Sequence, residues 1–138
     1  MTAKTTAALL STRACYHSPP LGTSAPVGFR QMLASLLQRT KGARGAIFCD
    51  SDGESVDVAV GDPQLSDFDM KVLGAHAAAW LAPPANVQEL KIRCSKGTLL
   101  CRSVREGYYL VLLLGQDVPA GAAAFELLRT AAEVSTEL

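Results

Sequence analysis

The chain has 138 residues and no net formal charge, because thirteen Lys and Arg residues balance thirteen Asp and Glu residues. This length suits one soluble domain with a proper core and is too short for a typical two-domain enzyme. The neutral balance argues against a dedicated nucleic-acid binder, and no apolar run approaches the roughly 18 residues that a membrane span needs. The charge is nevertheless uneven, since residues 1–49 carry six basic residues and no acid.

The N-terminal segment differs in composition from the rest of the chain. Residues 1–26 are rich in Ser, Thr, Ala and Pro and contain no acidic residue. The apolar run at residues 7–10 is too short for a secretory signal, and the composition resembles a transit peptide only faintly. A disordered tail is the simpler interpretation. We therefore expect a disordered or loosely attached tail over residues 1–26 and one domain over residues 27–138.

The next segment predicts a helix followed by a β-hairpin. Apolar residues recur at helical spacing from Phe29 to Leu37, and either Gly42 or Gly45 suits the left-handed end of a helix. Residues 45–49 form an apolar strand, an acidic turn follows, and residues 56–60 alternate as a second strand does. The turn lacks the spacing of an EF-hand loop, so we expect a polar turn without a bound ion.

A second helix is predicted over residues 67–81. Ser66 and Asp69 have the spacing of a capping box, and Pro83 prevents the helix from continuing. At about 3.6 residues per turn, two nearly opposite sides of this helix are apolar. The first side carries Phe68, Val72, Ala75 and Ala79. The second side carries Met70, Leu73, Ala77, Trp80 and Leu81.

Two apolar sides on one helix imply a second burial surface. A helix that lies on the sheet of a monomer needs only one apolar face. We therefore expect a subunit interface on this helix, with the small residue Gly74 allowing close approach. The expected helix contacts are Met70, Leu73, Gly74, Ala77, Trp80 and Leu81. The alternative is a helix enclosed between the sheet and a local loop, such as the N-terminal tail.

Two strands joined by a tight turn follow. Residues 87–94 and 98–104 give one apolar face when Cys94 lies opposite Leu99 and Gly97 is one of two turn residues. The outer face of the first strand is charged, which predicts an edge strand, either bare or paired with its copy in a dimer. Its three charged residues complete the expected dimer interface: Glu89, Lys91 and Arg93.

The rest of the chain completes the fold class. Residues 108–114 form an uninterrupted apolar run, which predicts a central strand covered on both faces. A last helix is predicted over residues 119–136, with Phe125, Leu128 and Ala132 facing inward. The order is helix, two strands, helix, three strands, helix. Because the strands within each group are joined by short turns, this order predicts an antiparallel α+β domain.

The cysteines and histidines give no sign of a metal site. Cys49, Cys94 and Cys101 lie in apolar strand patterns, which is typical of small core residues in a reducing compartment. We therefore expect a cytoplasmic protein. The chain has two histidines and no CxxC pair, whereas a structural zinc site normally shows closely spaced ligands. We expect no bound metal.

The chain also lacks a recognisable catalytic constellation. It has neither the Gly-rich loop that binds phosphates nor a Gly-x-Ser-x-Gly motif. His76 follows Asp69 by seven residues on the same side of a helix, but no nucleophile is evident beside it. We therefore expect a protein that is not an enzyme and that has no catalytic residue and no cofactor.

Four segments of the chain form a familiar pattern. They are FRQMLASLLQRTKGARGAIFCDSDG, DFDMKVLGAHAAAWLA, VQELKIRCSKGTLLCRSVREGYYLVLLL and the last helix. The most specific part is Gly-Ala-Ile-x-x-Asp-x-Asp-Gly at residues 45–53. Together they resemble the roadblock/dynein light-chain domain, a family that includes bacterial GTPase-activating proteins of gliding motility. The resemblance covers residues 29–137, and the tail lies outside it.

The resemblance implies both a topology and a mode of assembly. It implies a five-stranded antiparallel sheet in the order 2-1-5-4-3, with helix 2 on one face and helices 1 and 3 on the other. It also implies dimers in which helix 2 packs on helix 2 and strand 3 pairs with strand 3. The basic tail and the alanines at residues 77–79 depart from the family pattern.

The function that the resemblance implies is a noncatalytic dimeric platform that binds and regulates a small Ras-like GTPase. Such a platform would stimulate hydrolysis by ordering the switch loops of its partner. The candidate contacts are Asp67, Asp69, Lys71 and His76. One alternative is an adaptor or scaffold subunit of a larger complex. Another is a small-ligand sensor, which needs a pocket of roughly 300 Å³ or more between sheet and helix. We expect neither nucleic-acid binding nor membrane insertion.

Overall fold

The computed structural model describes residues 28–81, 87–95 and 97–138. The predicted tail, residues 1–26, lies outside these ranges. In chain order the described elements are α1 (Phe29–Arg39), β1 (Ala43–Asp50), β2 (Ser55–Val60), α2 (Asp67–Leu81), β3 (Glu89–Cys94), β4 (Gly97–Val104), β5 (Tyr108–Leu114) and α3 (Ala120–Thr136). The sequence therefore predicted every one of these helices and strands, and the bounds of α2 and β5 agree to the residue.

The strands form one antiparallel sheet in the order β2-β1-β5-β4-β3, which confirms the expected topology. Alternate residues of the central strand point to opposite faces. Leu110, Leu112 and Leu114 pack in the core beneath α1 and α3. Val111 and Leu113 pack in the core beneath α2. The unbroken apolar run of β5 exists because both faces of this strand are covered.

Helices α1 and α3 are held together by a partly buried polar contact as well as by the core. Arg39 Nε lies 2.9 Å from Glu126 Oε1, and Arg39 Nη2 donates a hydrogen bond of 2.9 Å to Thr130 Oγ1. The apolar side of α1 packs beneath this contact, with Leu33 and Leu36 fully buried. The predicted inward stripe of α1 is thus confirmed.

The inward side of α3 differs from the prediction. Its buried residues are Ala123, Leu127, Thr130, Ala131 and Val134. Phe125 and Leu128, which were expected to face inward, are 60% and 46% exposed. Ala132 is exposed as well. Because alanines occur all round this helix, the spacing of its larger residues did not identify the side that packs on the sheet.

The hairpin of β3 and β4 has the predicted faces in a different register. Cys94 lies opposite Gly97 rather than Leu99, so the register differs by two residues. A shift of two residues keeps each side chain on its original face, and Leu90 packs toward α2 as expected. Gly97 has a φ of 137°, and a Cβ atom there would overlap the carbonyl oxygen of Leu114. Cys94 is exposed, contrary to its expected place in the core.

Candidate protein-interaction surface

The start of α2 is fixed by the predicted capping box. The backbone N–H of Asp69 donates to Ser66 Oγ at 3.0 Å, and the N–H of Ser66 donates to Asp69 Oδ2 at 3.1 Å. The two donors would otherwise lack a partner at the helix end. The carboxylate of Asp69 is therefore engaged in the cap of its own helix, which makes it a poor contact for a partner protein.

The inward side of α2 packs very closely on β1. A Cβ atom at Gly74 would lie 3.1 Å from Ile47 Cγ2, and the Cys49 thiol lies 3.7 Å from the Gly74 carbonyl oxygen, to which it donates. Four of the six helix residues expected at a dimer interface are instead part of this core: Met70, Gly74, Ala77 and Leu81. This corrects the prediction. Among them, the small residues Gly74 and Ala77 allow the helix to approach the sheet of its own chain.

The outward side of α2 carries the other apolar residues, which we name the α2 stripe: Phe68, Val72, Ala75 and Ala79. Phe68 is 71% exposed and Val72 is 38% exposed. Trp80, at the edge of the stripe, is 48% exposed, and its ring stacks on His76 with centroids 6.1 Å apart. Leu73 is half-buried between the two sides. A large apolar surface of this kind typically marks an interaction site.

Charged and polar groups border the α2 stripe. Asp67, Lys71 and His76 are exposed beside it, so three of the four candidate partner contacts are accessible. The turn between β1 and β2 also reaches the helix, since a Cβ atom at Gly53 would lie 3.2 Å from the Cα atom of Ala75. The stripe therefore lies between polar groups of its own helix and the tip of a hairpin.

The acidic hairpin turn is held by hydrogen bonds from its backbone to the side chain of Asp50. Asp50 Oδ1 accepts hydrogen bonds from the N–H groups of Asp52 and Glu54 at 2.9 and 3.0 Å. The same turn contains Gly53 at a φ of 84°, a conformation that favours glycine. This arrangement confirms a polar turn. In the described ranges, no group of three or more His, Cys, Asp or Glu residues is arranged to hold a metal ion.

Strand β3 lies at the edge of the sheet, as predicted. It pairs with β4 on one side, and no other strand in the described part of the chain pairs with its second side. Glu89, Lys91 and Arg93 are exposed along it, and Glu89 lies 3.5 Å from Arg102 of the neighbouring strand. Ile92 is half-buried on the α2 side of the sheet. A free edge like this one can accept a strand from another molecule.

The buried thiols are poor nucleophiles. Burial raises the pKa of Cys49 to about 12, with the negative charge of Asp50 adding to the effect. Burial likewise raises the pKa of Cys101 to about 12. Because the thiolate is the reactive form, both groups are inert near neutral pH.

A cleft lies on the opposite side of the sheet from α2. It has a volume of about 360 Å³ and separates the first half of α3 from the edge of the sheet. Its lining includes Glu89 and Lys91 of β3, Leu100 of β4, and Gly121 and Ala124 of α3. The cleft has the size that a small-ligand sensor requires, and one side of it is open to solvent.

Comparison with known proteins identifies the fold. No protein-family model and no curated protein matches the sequence. A Roadblock/LC7 domain from Streptomyces avermitilis aligns with a TM-score of 0.64 and 17% identity, over 78% of this chain and 95% of that one. The chain has the fold of a Roadblock/LC7 domain. MglC from Myxococcus xanthus shares 28% identity at a TM-score of 0.61, over 80% of this chain and 98% of MglC.

A third structure with the Roadblock/LC7 fold is the gliding protein MglB from Thermus thermophilus. It aligns with a TM-score of 0.62 and 20% identity, over 80% of this chain and 90% of that one. The resemblance seen in the sequence is therefore confirmed at the level of the fold. In residues 28–81, 87–95 and 97–138, no helix combines the length and apolar character that a membrane crossing requires.

Proposed function

We propose that this protein is a noncatalytic homodimeric platform that binds and regulates a small Ras-like GTPase. The observation that carries the proposal is the α2 stripe, an apolar surface that remains exposed although the other side of the helix is already buried. Burying a side chain such as Phe68 is worth about 1.5–3 kcal/mol, which favours association through this surface.

The free edge of β3 supports the same mode of assembly. Pairing with a second copy of β3 would satisfy the backbone groups along that edge and extend the sheet across the dimer. The resemblance to roadblock domains implies this pairing together with contact between the two copies of α2. The revised helix contacts keep Trp80 and the half-buried Leu73 and replace the four core residues with Phe68, Val72, Ala75 and Ala79.

The proposed GTPase surface consists of polar residues that flank the α2 stripe. Asp67, Lys71 and His76 are exposed there, whereas Asp69 serves in the helix cap. The likeness to MglC and to a gliding MglB supports a regulator of this class. A platform of this kind contributes no catalytic group and would act by ordering the switch loops of the bound GTPase.

Substitutions at two phenylalanines test the proposed dimer interface. The two side chains have similar exposure but lie on opposite sides of the sheet. Phe68→Glu introduces a charge into the α2 stripe, and Phe125→Glu introduces the same charge on α3. By sedimentation equilibrium, the wild type and Phe125→Glu should have twice the 14.5 kDa mass of one chain. Phe68→Glu should sediment as a monomer. Dimers of unchanged affinity in Phe68→Glu would disprove the proposed interface.

The GTPase is tested separately by purification of the tagged protein from its native host. A small GTPase should co-purify, and its rate of GTP hydrolysis should change when the purified dimer is added. Lys71→Glu should weaken this effect while leaving the dimer mass unchanged. Co-purified partners without any GTPase would instead identify an adaptor or scaffold subunit.

A further inference from the structure

A second apolar surface lies on α3, on the other side of the sheet from the α2 stripe. We name it the α3 stripe: Gly121, Phe125, Leu128 and Ala132. These residues are spaced by four, three and four positions, so they follow one side of the helix. Phe125 and Leu128 are exposed, and no atom lies within 4 Å of a Cβ placed on Gly121. At this glycine the stripe reaches the 360 Å³ cleft beside β3.

The chain enters the domain beside this surface. The Phe29 ring, at the start of α1, packs on Phe48 with centroids 4.9 Å apart, and Phe48 packs on Tyr108. The other end of α3 lies near the same end of the sheet, because Arg105 Nη2 donates to the Leu138 carbonyl oxygen at 2.6 Å. Gly28, the first described residue, therefore lies at the end of the sheet where α3 ends.

The N-terminal segment has the length and chemistry to occupy the α3 stripe. Residues 11–27 span up to about 50 Å at roughly 3.1 Å per residue, while α3 is only about 25 Å long. Residues 1–27 contain two basic residues and no acid, with Leu9 and Leu10 between Lys4 and Arg13. From residue 120 to the end, the chain carries three glutamates and one arginine, so the charges are complementary.

We propose that residues 1–27 dock in cis on the α3 stripe, with Leu9 and Leu10 against Phe125 and in the adjoining cleft. Arg13, on the side of the leucines that leads back to the domain, then lies toward the exposed Glu133. This surface is distinct from the proposed dimer and GTPase surfaces on α2. The proposed α2 contacts do not reach α3. The docked N-terminal segment thereby covers the apolar surface of Phe125 and Leu128 that those contacts leave exposed.

The size of the stripe favours a tethered occupant over a second copy of the chain. From Gly121 to Ala132 the stripe is about 17 Å long and one helix wide, so its area is well below the roughly 800 Å² per partner of a stable dimer. A tethered segment needs less contact, because its effective concentration reaches the millimolar range and it loses less translational freedom on docking.

Trypsin cleavage after Arg13 of the full-length protein tests the proposal. Cleavage of a docked segment requires that it first detach, so the rate follows the detached fraction. Phe125→Ser/Leu128→Ser should accelerate this cleavage roughly tenfold, because two apolar contacts are lost. Leu9→Ser/Leu10→Ser should have a similar effect. Combining all four substitutions should accelerate cleavage little further, because each pair removes the same contact between the segment and α3.

Phe68→Ser is the matched control, because it changes the α2 stripe and leaves α3 intact. It should leave cleavage after Arg13 unchanged, whatever happens to the dimer. The proposal is overturned if the wild type and the α3 variant are cleaved at equal rates. It is also overturned if cleavage in the wild type slows as the protein concentration rises, or if the α3 variant has a lower sedimentation mass. Either result would assign the stripe to a second copy.

Discussion

Gly74 lies where α2 most closely approaches the sheet, and its replacement by alanine tests whether that contact is within one chain. A Cβ atom at this position would lie 3.1 and 3.2 Å from two carbon atoms of Ile47, which is 1% exposed. Because the isoleucine is enclosed, it has little room to move away. We expect Gly74→Ala to lower the free energy of unfolding, although alanine is the better helix former.

The magnitude follows from two opposing contributions. Alanine is favoured over glycine in a helix interior by about 1 kcal/mol. An additional methyl group in a packed core costs about 1–3 kcal/mol. The difference is a net destabilisation of about 1 kcal/mol, or a decrease of roughly 3 °C in Tm for a domain of this size. Gly121→Ala is the control, since its Cβ meets nothing within 4 Å, and it should stabilise by up to about 1 kcal/mol.

Urea unfolding followed by circular dichroism measures both variants, at two protein concentrations tenfold apart. The two substitutions should shift the midpoint in opposite directions. The difference between Gly74→Ala and the wild type should also be the same at both concentrations. Equal stabilisation by both substitutions would refute the packing argument. A difference that shrinks on dilution would return Gly74 to the dimer interface, because subunit contacts contribute to stability by mass action and are lost as the dimer dissociates.

Two further predictions concern the polar and buried groups of the fold. Arg39→Ala should reduce the free energy of unfolding, measured in urea, by about 1–3 kcal/mol, because the largely buried contact with Glu126 is lost. Arg30→Ala is the control. It removes an exposed ion pair with Asp57 and should change the free energy of unfolding by less than about 0.5 kcal/mol. Comparable losses in both variants would contradict this. Raising the pH above 9 should destabilise the protein, because burial raises the pKa of Cys49 and Cys101 from 9.0 to about 12 and only the unfolded thiols then lose their protons. The expected loss at pH 10 is about 1.4 kcal/mol for each thiol, and Cys49→Ala should reduce this pH dependence. An unchanged pH dependence in that variant would show that other groups cause it.

The sequence predicted the elements of this fold because their signals are local. The bounds of α2 follow from the Ser66 and Asp69 cap, whose two hydrogen bonds are both present. The unbroken apolar run of β5 identified the central strand, since only a strand covered on both faces can be apolar throughout. The two apolar sides of α2 were also visible in its spacing. Each of these features depends on residues that are close together in the chain.

Tertiary structure alone decided which sides pack together. Spacing fixes the angles between residues of one helix, but it does not orient a helix that is apolar on opposite sides. On α2 the choice depended on close packing of Gly74 against Ile47, a contact between residues 27 positions apart. On α3 the side with Leu127 and Val134 faces the sheet, and Phe125 faces outward. The sequence therefore indicated two apolar sides on α2, and packing determined which of them is buried and which is exposed.

The register of β3 and β4 illustrates the same limit for strands. Side chains alternate with a period of two, so a shift of two residues leaves both faces with the same composition. The hydrophobic pattern could therefore exclude a shift of one residue but not a shift of two. The close approach of Gly97 to the Leu114 carbonyl involves the neighbouring strand β5, which the hairpin sequence does not contain. Periodicity determined the faces of each element, and contacts between distant elements determined their alignment and orientation.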